Sequence, residues 1–324
     1  MPGPSRPTRW WRRATGGAVL AAAATLLTSG CALAPPSAQD QASAGSSGSA
    51  ASRTIDVVAA ESVWGSLAQQ LGGDRVRVRS IIANPDADPH DYEPTVADAT
   101  AMARARLVID NGIGYDSWAG KLADVDPVDG RTVLTVGDVV GVADGGNPHR
   151  WYSPTDVRTV IDRITAAYQA LDPAAASTFA ARHATVLGTD LAEYFDLVAQ
   201  VRTSYAGTPV GASESIVAPL AEALGLRVLT PASFLSAVSE GSDPTAADKA
   251  AVDAQLAGRR IKVYLYNSQN ATPDVQRQVD AARAAGIPVV TVTETLTPSG
   301  ASFQQWQVTQ LKALAAALAR GTGA

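Results

Sequence analysis

Three histidines, His90, His149 and His183, are the side chains of this 324-residue sequence best suited to chemistry. Cys31 is the only cysteine, so neither an intrachain disulfide nor a zinc site of several thiolates can form. Any metal site must therefore combine imidazoles with oxygen ligands, and the 31 aspartates and glutamates are the candidates.

Two of the histidines lie in loops that contain prolines, which restrict the backbone and so fix where a side chain points. His90 lies in residues 84–94 (NPDADPHDYEP), and His149 lies in residues 147–152 (NPHRWY). We predict that both are metal ligands. The alternatives are an exposed loop histidine at position 90 and a histidine packed on Trp151 or Tyr152 at position 149.

Two carboxylates directly follow predicted strands, where ligands bind in open α/β sheets. Glu214 follows the strand Pro209–Ala212, and Glu294 follows the strand Pro288–Val292. From position alone, Glu214 is either a ligand or an acid in the first turn of the next helix, where the helix dipole favours negative charge. Glu294 is either a ligand or a solvated loop acid. His183 lies in a helical stretch beside Arg182, and we expect it to be a surface residue.

Apolar runs that alternate with amphipathic stretches begin near Thr54 and predict parallel βαβ units with helices on both faces of each sheet. The fold class is therefore α/β, with two lobes of mostly parallel sheets. The predicted strands are Ile55–Ala59, Val76–Ala83, Leu107–Asp110, Val133–Val140, Pro209–Ala212, Leu226–Leu229, Ile261–Tyr266 and Pro288–Val292.

Residues 172–204 break this alternation. They open with Asp172-Pro173, which is typical of a helix start, and contain no later proline and a single glycine, Gly188. This pattern predicts one long helix, of about 45 Å at 1.5 Å per residue, which joins the two lobes.

The N-terminal residues 1–30 have the features of a secretory signal. Residues 6–13 are basic, and the apolar run over 16–27 is shorter than the roughly 20 residues that span a bilayer. Residues 27–31 (LTSGC) resemble the lipobox of bacterial lipoproteins, which implies lipidation of Cys31; an ordinary cleaved signal is the alternative. Residues 31–53 then form a flexible linker, because their Pro, Ser, Gly and Ala content cannot form a core.

The charge balance argues against a nucleic-acid partner, which requires a basic face. The formal net charge is −5, and without residues 1–30 the chain has 22 basic and 31 acidic side chains. An acidic body is compatible with a cation as ligand.

The motifs around the two loop histidines resemble those of a known family. Residues 89–94 (PHDYEP) and 147–151 (NPHRW) are similar to the metal-binding solute-binding proteins (cluster A-I) of bacterial ABC importers for zinc and manganese. The resemblance covers about residues 54–320. It implies two α/β lobes, 54–171 and 205–324, bridged by a rigid helix over 172–204, with the ion between the lobes.

The resemblance also implies a set of four ligands, His90, His149, Glu214 and Glu294. The position of Glu214 is His in many zinc members and Glu in many manganese members, and Asp is commoner than Glu at the position of Glu294. Two imidazoles with two carboxylates favour Mn²⁺ as the physiological ion, while Zn²⁺ is expected to bind well in vitro. The histidine-rich loop of many zinc members is absent from this sequence.

The resemblance implies a monomeric capture protein that is not an enzyme. Anchored through Cys31 at the outer face of the cell membrane, it would deliver Mn²⁺ or Zn²⁺ to a permease driven by a cytoplasmic ATPase. Two alternatives are a metal-binding adhesin or structural lipoprotein, and a metallohydrolase. Four protein ligands would leave no open coordination position for catalysis, and no HExxH, GxSxG or P-loop motif is present.

Overall fold

Two four-stranded parallel sheets organise the chain, as seen in a computed structural model that describes residues 54–84, 92–125 and 128–323. The strand order is β2-β1-β3-β4 in the first sheet and β6-β5-β7-β8 in the second. This confirms the α/β class. The strands are β1 Ile55–Glu61, β2 Val76–Ile82, β3 Leu107–Asp110, β4 Thr132–Thr135, β5 Pro209–Ala212, β6 Arg227–Val228, β7 Val263–Asn267 and β8 Val289–Val292.

The central strands are apolar along their length because helices cover both faces of each sheet. In β1, Val57 lies opposite Val78 on one side and Leu107 on the other, and six of its seven residues are buried. Strand β5 pairs in the same way with β6 and β7.

The two sheets share one topology, although the sequence shows no close internal repeat. In the first sheet, β2 lies on one side of β1, and the chain then crosses to form β3 on the other side; in the second sheet, β6 and β7 flank β5 in the same way. A switch point therefore lies between β1 and β3 and between β5 and β7. Ligands of open α/β sheets bind beyond the carboxyl ends of strands at such points. Glu61 and Asp110 end the strands at the first switch point, and Asn267 ends β7 at the second.

Twelve α-helices accompany the strands in the described residues. The prediction of a strand over Val133–Val140 is wrong beyond Thr135. A short helix begins at Val136, and it ends before Gly141, which adopts the left-handed conformation. The helices are α1 Ser62–Gly72, α2 Val96–Arg104, α3 Ser117–Val125, α4 Val136–Val140, α5 Pro154–Leu171, α6 Ala176–Thr185, α7 Ala192–Tyr205, α8 Ala218–Ala223, α9 Ala232–Ser239, α10 Ala246–Ala257, α11 Pro273–Ala284 and α12 Phe303–Thr322.

The segment predicted as one long helix is helical but interrupted. A 3₁₀ turn at Pro173–Ala175 leads into α6, and a π-helical turn at Val186–Asp190 separates α6 from α7. Leu191 N donates to Val186 O at 2.9 Å, the i to i−5 bond that defines the turn. Gly188 lies inside it, and glycine has a low helix propensity that favours such a break. The lobe bounds at 171 and 205 stay predictions.

Helix α12 connects the second sheet to the segment around His149. Gln307 Nε2 donates to the carbonyl oxygen of Trp151 at 3.0 Å, and Tyr152 Oη donates to Gln310 Oε1 at 2.8 Å. Trp306 packs against Tyr152 with ring centroids 5.5 Å apart. The residues that follow His149 are therefore fixed by a helix far away in sequence.

None of the helices in the described ranges has the length and apolarity needed to cross a membrane. The predicted signal peptide over 1–30, Cys31 and the linker up to residue 53 lie outside the described residues.

We expect Trp306→Ala to lower the free energy of unfolding by about 3–5 kcal/mol, because it empties a fully enclosed site. It also removes the indole N–H that donates to Thr293 Oγ1 at 2.8 Å. Urea unfolding of the metal-free protein measures the change. Val96→Ala is the control, since Val96 is 85% exposed and its loss should cost under about 0.5 kcal/mol. A Trp306→Ala loss no larger than that of the control would contradict the packing described.

Candidate metal centre

Three predicted ligands, His149, Glu214 and Glu294, come together between the ends of the two sheets. All three are buried, and one ligand atom from each lies within 4.8 Å of the others. His149 Nε2 is 3.6 Å from Glu294 Oε2. Within 54–84, 92–125 and 128–323, no other group of three or more His, Cys, Asp or Glu residues meets this criterion.

The two other histidines differ in their placement. His90 lies outside the described residues, so its role as a ligand stays a prediction. His183 is absent from the cluster and instead pairs with Asp162 on α5, with Nε2 and Oδ1 2.6 Å apart. Asp162 lies 21 residues before His183, so the sequence around His183 did not indicate this pair.

The imidazole of His149 is oriented by Asn147 two residues earlier. Asn147 Oδ1 accepts a hydrogen bond from His149 N at 3.0 Å and lies 3.0 Å from His149 Nδ1. We assign the proton to Nδ1, because Oδ1 can only accept, and this leaves the Nε2 lone pair facing Glu294. Asn147 Nδ2 also donates to the carbonyl oxygen of Ser215 at 2.7 Å, which ties this loop to the residue after Glu214.

His149 also contacts the aromatic residue that the sequence offered as its alternative partner. Its ring stands edge-on to Trp151, with centroids 5.4 Å apart and an interplanar angle of 88°. Tyr115 packs against both rings. Packing on Trp151 therefore does not prevent His149 Nε2 from facing the carboxylate of Glu294.

Glu214 is directed toward the other acid and away from the helix that follows it. It occupies the N-cap position of the 3₁₀ turn Ser215–Val217, but its side chain makes no capping hydrogen bond. Its carboxylate instead accepts from Asn267 Nδ2, and from Asn270 Nδ2 at 3.1 Å. The structure thus places this carboxylate beside the other candidate ligands.

Glu294 receives hydrogen bonds from both sheets. Tyr115 Oη donates to Oε2 at 2.6 Å from the loop after β3 of the first sheet, and Asn267 Nδ2 donates to Oε1 at 2.9 Å from the end of β7 in the second. Burial and the neighbouring Glu294 raise the pKa of Tyr115 well above its usual value, so its phenol remains a donor. Gln269 Oε1 accepts from the main-chain N–H of Glu294 at 2.5 Å and fixes the backbone there.

Asn267 is the residue that joins the two acids, since its amide nitrogen donates to both carboxylates. Sequence reasoning missed it, together with Asn147, Tyr115 and Asn270. The signal for Asn267 was a polar residue at the end of an apolar strand, next to the switch point of its sheet.

The segment that begins at Tyr92 is well anchored. Tyr92 Oη donates to Asp98 Oδ2 at 2.7 Å, and the Tyr92 ring packs on Trp118 at 5.2 Å. Burial opposes the charge of Asp98, but hydrogen bonds from Thr95, Tyr92 and Arg79 outweigh it and lower the pKa of Asp98 to about 2. The chain that follows His90 is therefore held in place from Tyr92 onward.

The donor set suits a divalent cation. Two carboxylates and neutral imidazole carry two negative charges, and burying such charges side by side is costly without a counter-ion. A cleft of about 660 Å³ lies beside this set and is lined by Tyr115, Asn147, Ser215 and Asn270.

Curated proteins with similar sequences are metal-binding proteins by name. The chain is 33% identical over 136 residues to the iron-binding protein YfeA of Yersinia pestis, covering 39% of this chain and 42% of YfeA. It is 30% identical over 122 residues to the manganese ABC transporter substrate-binding lipoprotein PsaA of Streptococcus pneumoniae, covering 34% and 39%. These matches span about two fifths of each relative's length.

Solved structures with the same fold cover more of the chain. A manganese-bound variant of a periplasmic metal-binding protein from candidatus Liberibacter asiaticus superposes with a TM-score of 0.69 at 21% identity, over 82% of this chain and 99% of that one. A variant of the laminin-binding adhesin Lmb from Streptococcus agalactiae gives a TM-score of 0.65 at 18% identity, with the same coverage. At these identities the likeness shows the two-lobed fold alone.

The family comparison covers most of the folded part. The model of the ZnuA family, described as zinc-uptake complex component A, periplasmic, matches residues 57–317. The chain therefore belongs to the ZnuA family, whose members are substrate-binding proteins of metal importers and not enzymes.

Proposed function

We propose that this protein is the extracytoplasmic solute-binding component of an ABC importer and that it captures Mn²⁺ or Zn²⁺. The observation that carries the proposal is the buried cluster of His149, Glu214 and Glu294, whose ligand atoms lie within 4.8 Å of one another. His90 is the fourth ligand of the proposal, supplied by the loop before Tyr92.

The choice of ion follows from the donor atoms. Carboxylate oxygens suit manganese and imidazoles suit zinc, while the general affinity order favours zinc over manganese. With two acids in the set, we propose Mn²⁺ as the physiological cargo and expect Zn²⁺ to bind well in vitro. Relatives named for manganese and for iron are consistent with an oxygen-rich site.

Delivery and location belong to the same proposal. A lipid on Cys31 and the linker 31–53 would hold the lobes 54–171 and 205–324 at the outer face of the cell membrane as a monomer. A permease with a cytoplasmic ATPase would receive the ion. Support comes from the family and from the relatives named as lipoproteins of ABC transporters.

An adhesin is the second candidate function, because a protein named as a laminin-binding adhesin shares the fold. Metal capture is the better supported function, because buried, hydrogen-bonded carboxylates offer nothing to a macromolecular partner at the surface. A metal-binding adhesin would also hold an ion, so the two are distinguished by whether loss of the protein lowers manganese and zinc uptake by the cell or lowers adhesion to laminin.

We expect His149→Ala and Glu214→Gln each to weaken Zn²⁺ and Mn²⁺ binding at least about 100-fold, since each removes a charge or donor that no neighbour can replace. Calorimetry with competing chelators measures the dissociation constants. His183→Ala is the matched control, because His183 pairs with Asp162 and should leave binding unchanged. If His183→Ala lost as much metal affinity as His149→Ala, or if His149→Ala lost none, the metal site would lie elsewhere.

We expect Glu214→His to shift selectivity toward zinc by at least about tenfold, because imidazole replaces a hard oxygen donor. Competition between the two ions at buffered free concentrations gives the ratio of dissociation constants for variant and parent. An unchanged ratio would mean that Glu214 does not touch the ion.

Metal should also stabilise the folded protein. At a free Zn²⁺ concentration of 100 times the dissociation constant, linkage predicts a gain of about 2.7 kcal/mol in the free energy of unfolding. Thermal unfolding with and without a chelator tests this, and the gain should disappear in His149→Ala. A gain of the same size in that variant would indicate binding at another place.

A further inference from the structure

Three buried acids outside the metal centre have no part in the function proposed above. Glu61 ends β1, Asp110 ends β3, and Asp116 begins the turn into α3; they are 2%, 4% and 1% exposed. They gather at the switch point of the first sheet. Within the described residues, their ligand atoms do not form a second close group of the kind made by His149, Glu214 and Glu294.

Asp116 has the hydrogen bonds of an ionised carboxylate. Its Oδ2 accepts from Asn111 N at 2.6 Å, and its Oδ1 accepts from Gly112 N at 2.8 Å. Burial raises the pKa of Asp116, while hydrogen bonds from Glu61 and from these main-chain amides act in the opposite direction. Both of its oxygens therefore act as acceptors.

Glu61 has the surroundings of a neutral carboxyl group. Neither of its oxygens makes a well-formed hydrogen bond to a donor of another described residue. Its own main-chain N–H favours the charged form, but burial and the neighbouring carboxyl of Asp116 oppose the charge more strongly. Two ionised carboxylates would repel each other there, whereas a proton on Glu61 makes it a donor to Asp116. Burial raises the pKa of Glu61 well above its usual value, and Asp116 and Asp110 raise it further.

The loop that Asp116 holds has an unfavourable backbone. Gly112, Ile113 and Gly114 have φ angles of +66°, +59° and +80°. A positive φ is costly for a β-branched residue such as Ile113, and surrounding contacts must impose it. The bonds from Asp116 to the first residues of the loop are such contacts.

The same loop supports both halves of the metal centre. Asn111 Nδ2 donates to the carbonyl oxygen of Pro148, the residue before His149, at 2.9 Å. Tyr115 at the other end donates to Glu294 at 2.6 Å. A shift of the loop would therefore move His149 and would break the hydrogen bond from Tyr115 to Glu294.

We propose that Glu61 is a positioning residue for metal capture. It is held neutral and donates a hydrogen bond to Asp116, and this pair fixes loop 111–116, which orients His149 and Glu294. The neutral state of Glu61 and its hydrogen bond to Asp116 concern the metal-free protein. Only the effect on His149 and Glu294 rests on the proposed function.

Two variants separate charge from hydrogen bonding. Glu61→Gln keeps a neutral donor of the same size, and Glu61→Met removes the donor while filling the space. We expect Glu61→Gln to bind Zn²⁺ within about threefold of the parent, and Glu61→Met to bind it about 10–100-fold more weakly, as for other residues that orient ligands. Equal binding by Glu61→Met and the parent overturns the positioning role.

A pH profile of unfolding tests the neutral state of Glu61 in the metal-free protein. The unfolded parent releases the Glu61 proton above about pH 4.5, while the folded parent keeps it, so rising pH favours unfolding of the parent. Glu61→Gln has no such proton. The ratio of unfolding constants, parent over Glu61→Gln, should therefore rise about tenfold per pH unit above pH 5 until Glu61 ionises in the folded state.

The other titratable groups near Glu61 contribute to the unfolding constants of both proteins, so their own titrations largely cancel in this ratio. Asp110, whose pKa burial and Asp116 raise to about 7, is present in both proteins, as are Asp116 and Tyr115. Glu222→Gln, at an exposed side chain, is the control for the substitution itself, and the Glu61→Gln ratio is compared with it. A flat ratio for Glu61→Gln overturns the neutral state. A parent that binds no metal overturns the proposed function and leaves the pH result to stand by itself.

Discussion

Two carboxylates buried side by side are the constraint on which the rest of the structure depends. Glu214 and Glu294 lie at the ends of different segments of the second sheet, yet both accept from the single amide nitrogen of Asn267. Amide dipoles soften the repulsion but do not cancel two charges. Such a pair of acids favours a cation between them, and His149 adds a neutral nitrogen donor from the loop before the 3₁₀ turn Arg150–Tyr152.

The repeated topology explains how distant segments meet there. Both sheets direct their switch points toward the same region, and each places polar residues at the ends of its central strands. The second sheet supplies Glu214 and Asn267, whereas the first supplies the acids Glu61 and Asp110 and the loop that ends in Tyr115. The second sheet thus provides the carboxylates and, through Asn267, a hydrogen bond to each of them, while the loop after β3 adds the hydrogen bond from Tyr115 to Glu294.

Much of this arrangement could be predicted from the sequence, because strands and the residues that follow them have local signatures. The positions of Glu214 and Glu294 after apolar runs are examples. The valine-rich run after Val133 was misjudged, since such residues suit a strand as well as a short helix; Gly141 was the overlooked stop signal. Asn267 and Tyr115 could not be assigned, because their roles depend on which strand ends face each other in space.

The most direct test of this account is a crystal structure of the manganese-loaded protein with anomalous diffraction recorded at the metal edge. The account predicts one strong peak bonded to His149 Nε2 and to carboxylate oxygens of Glu214 and Glu294, with His90 completing the set. An ion bound at another place, or one that leaves Glu214 and Glu294 without a metal bond, would contradict it.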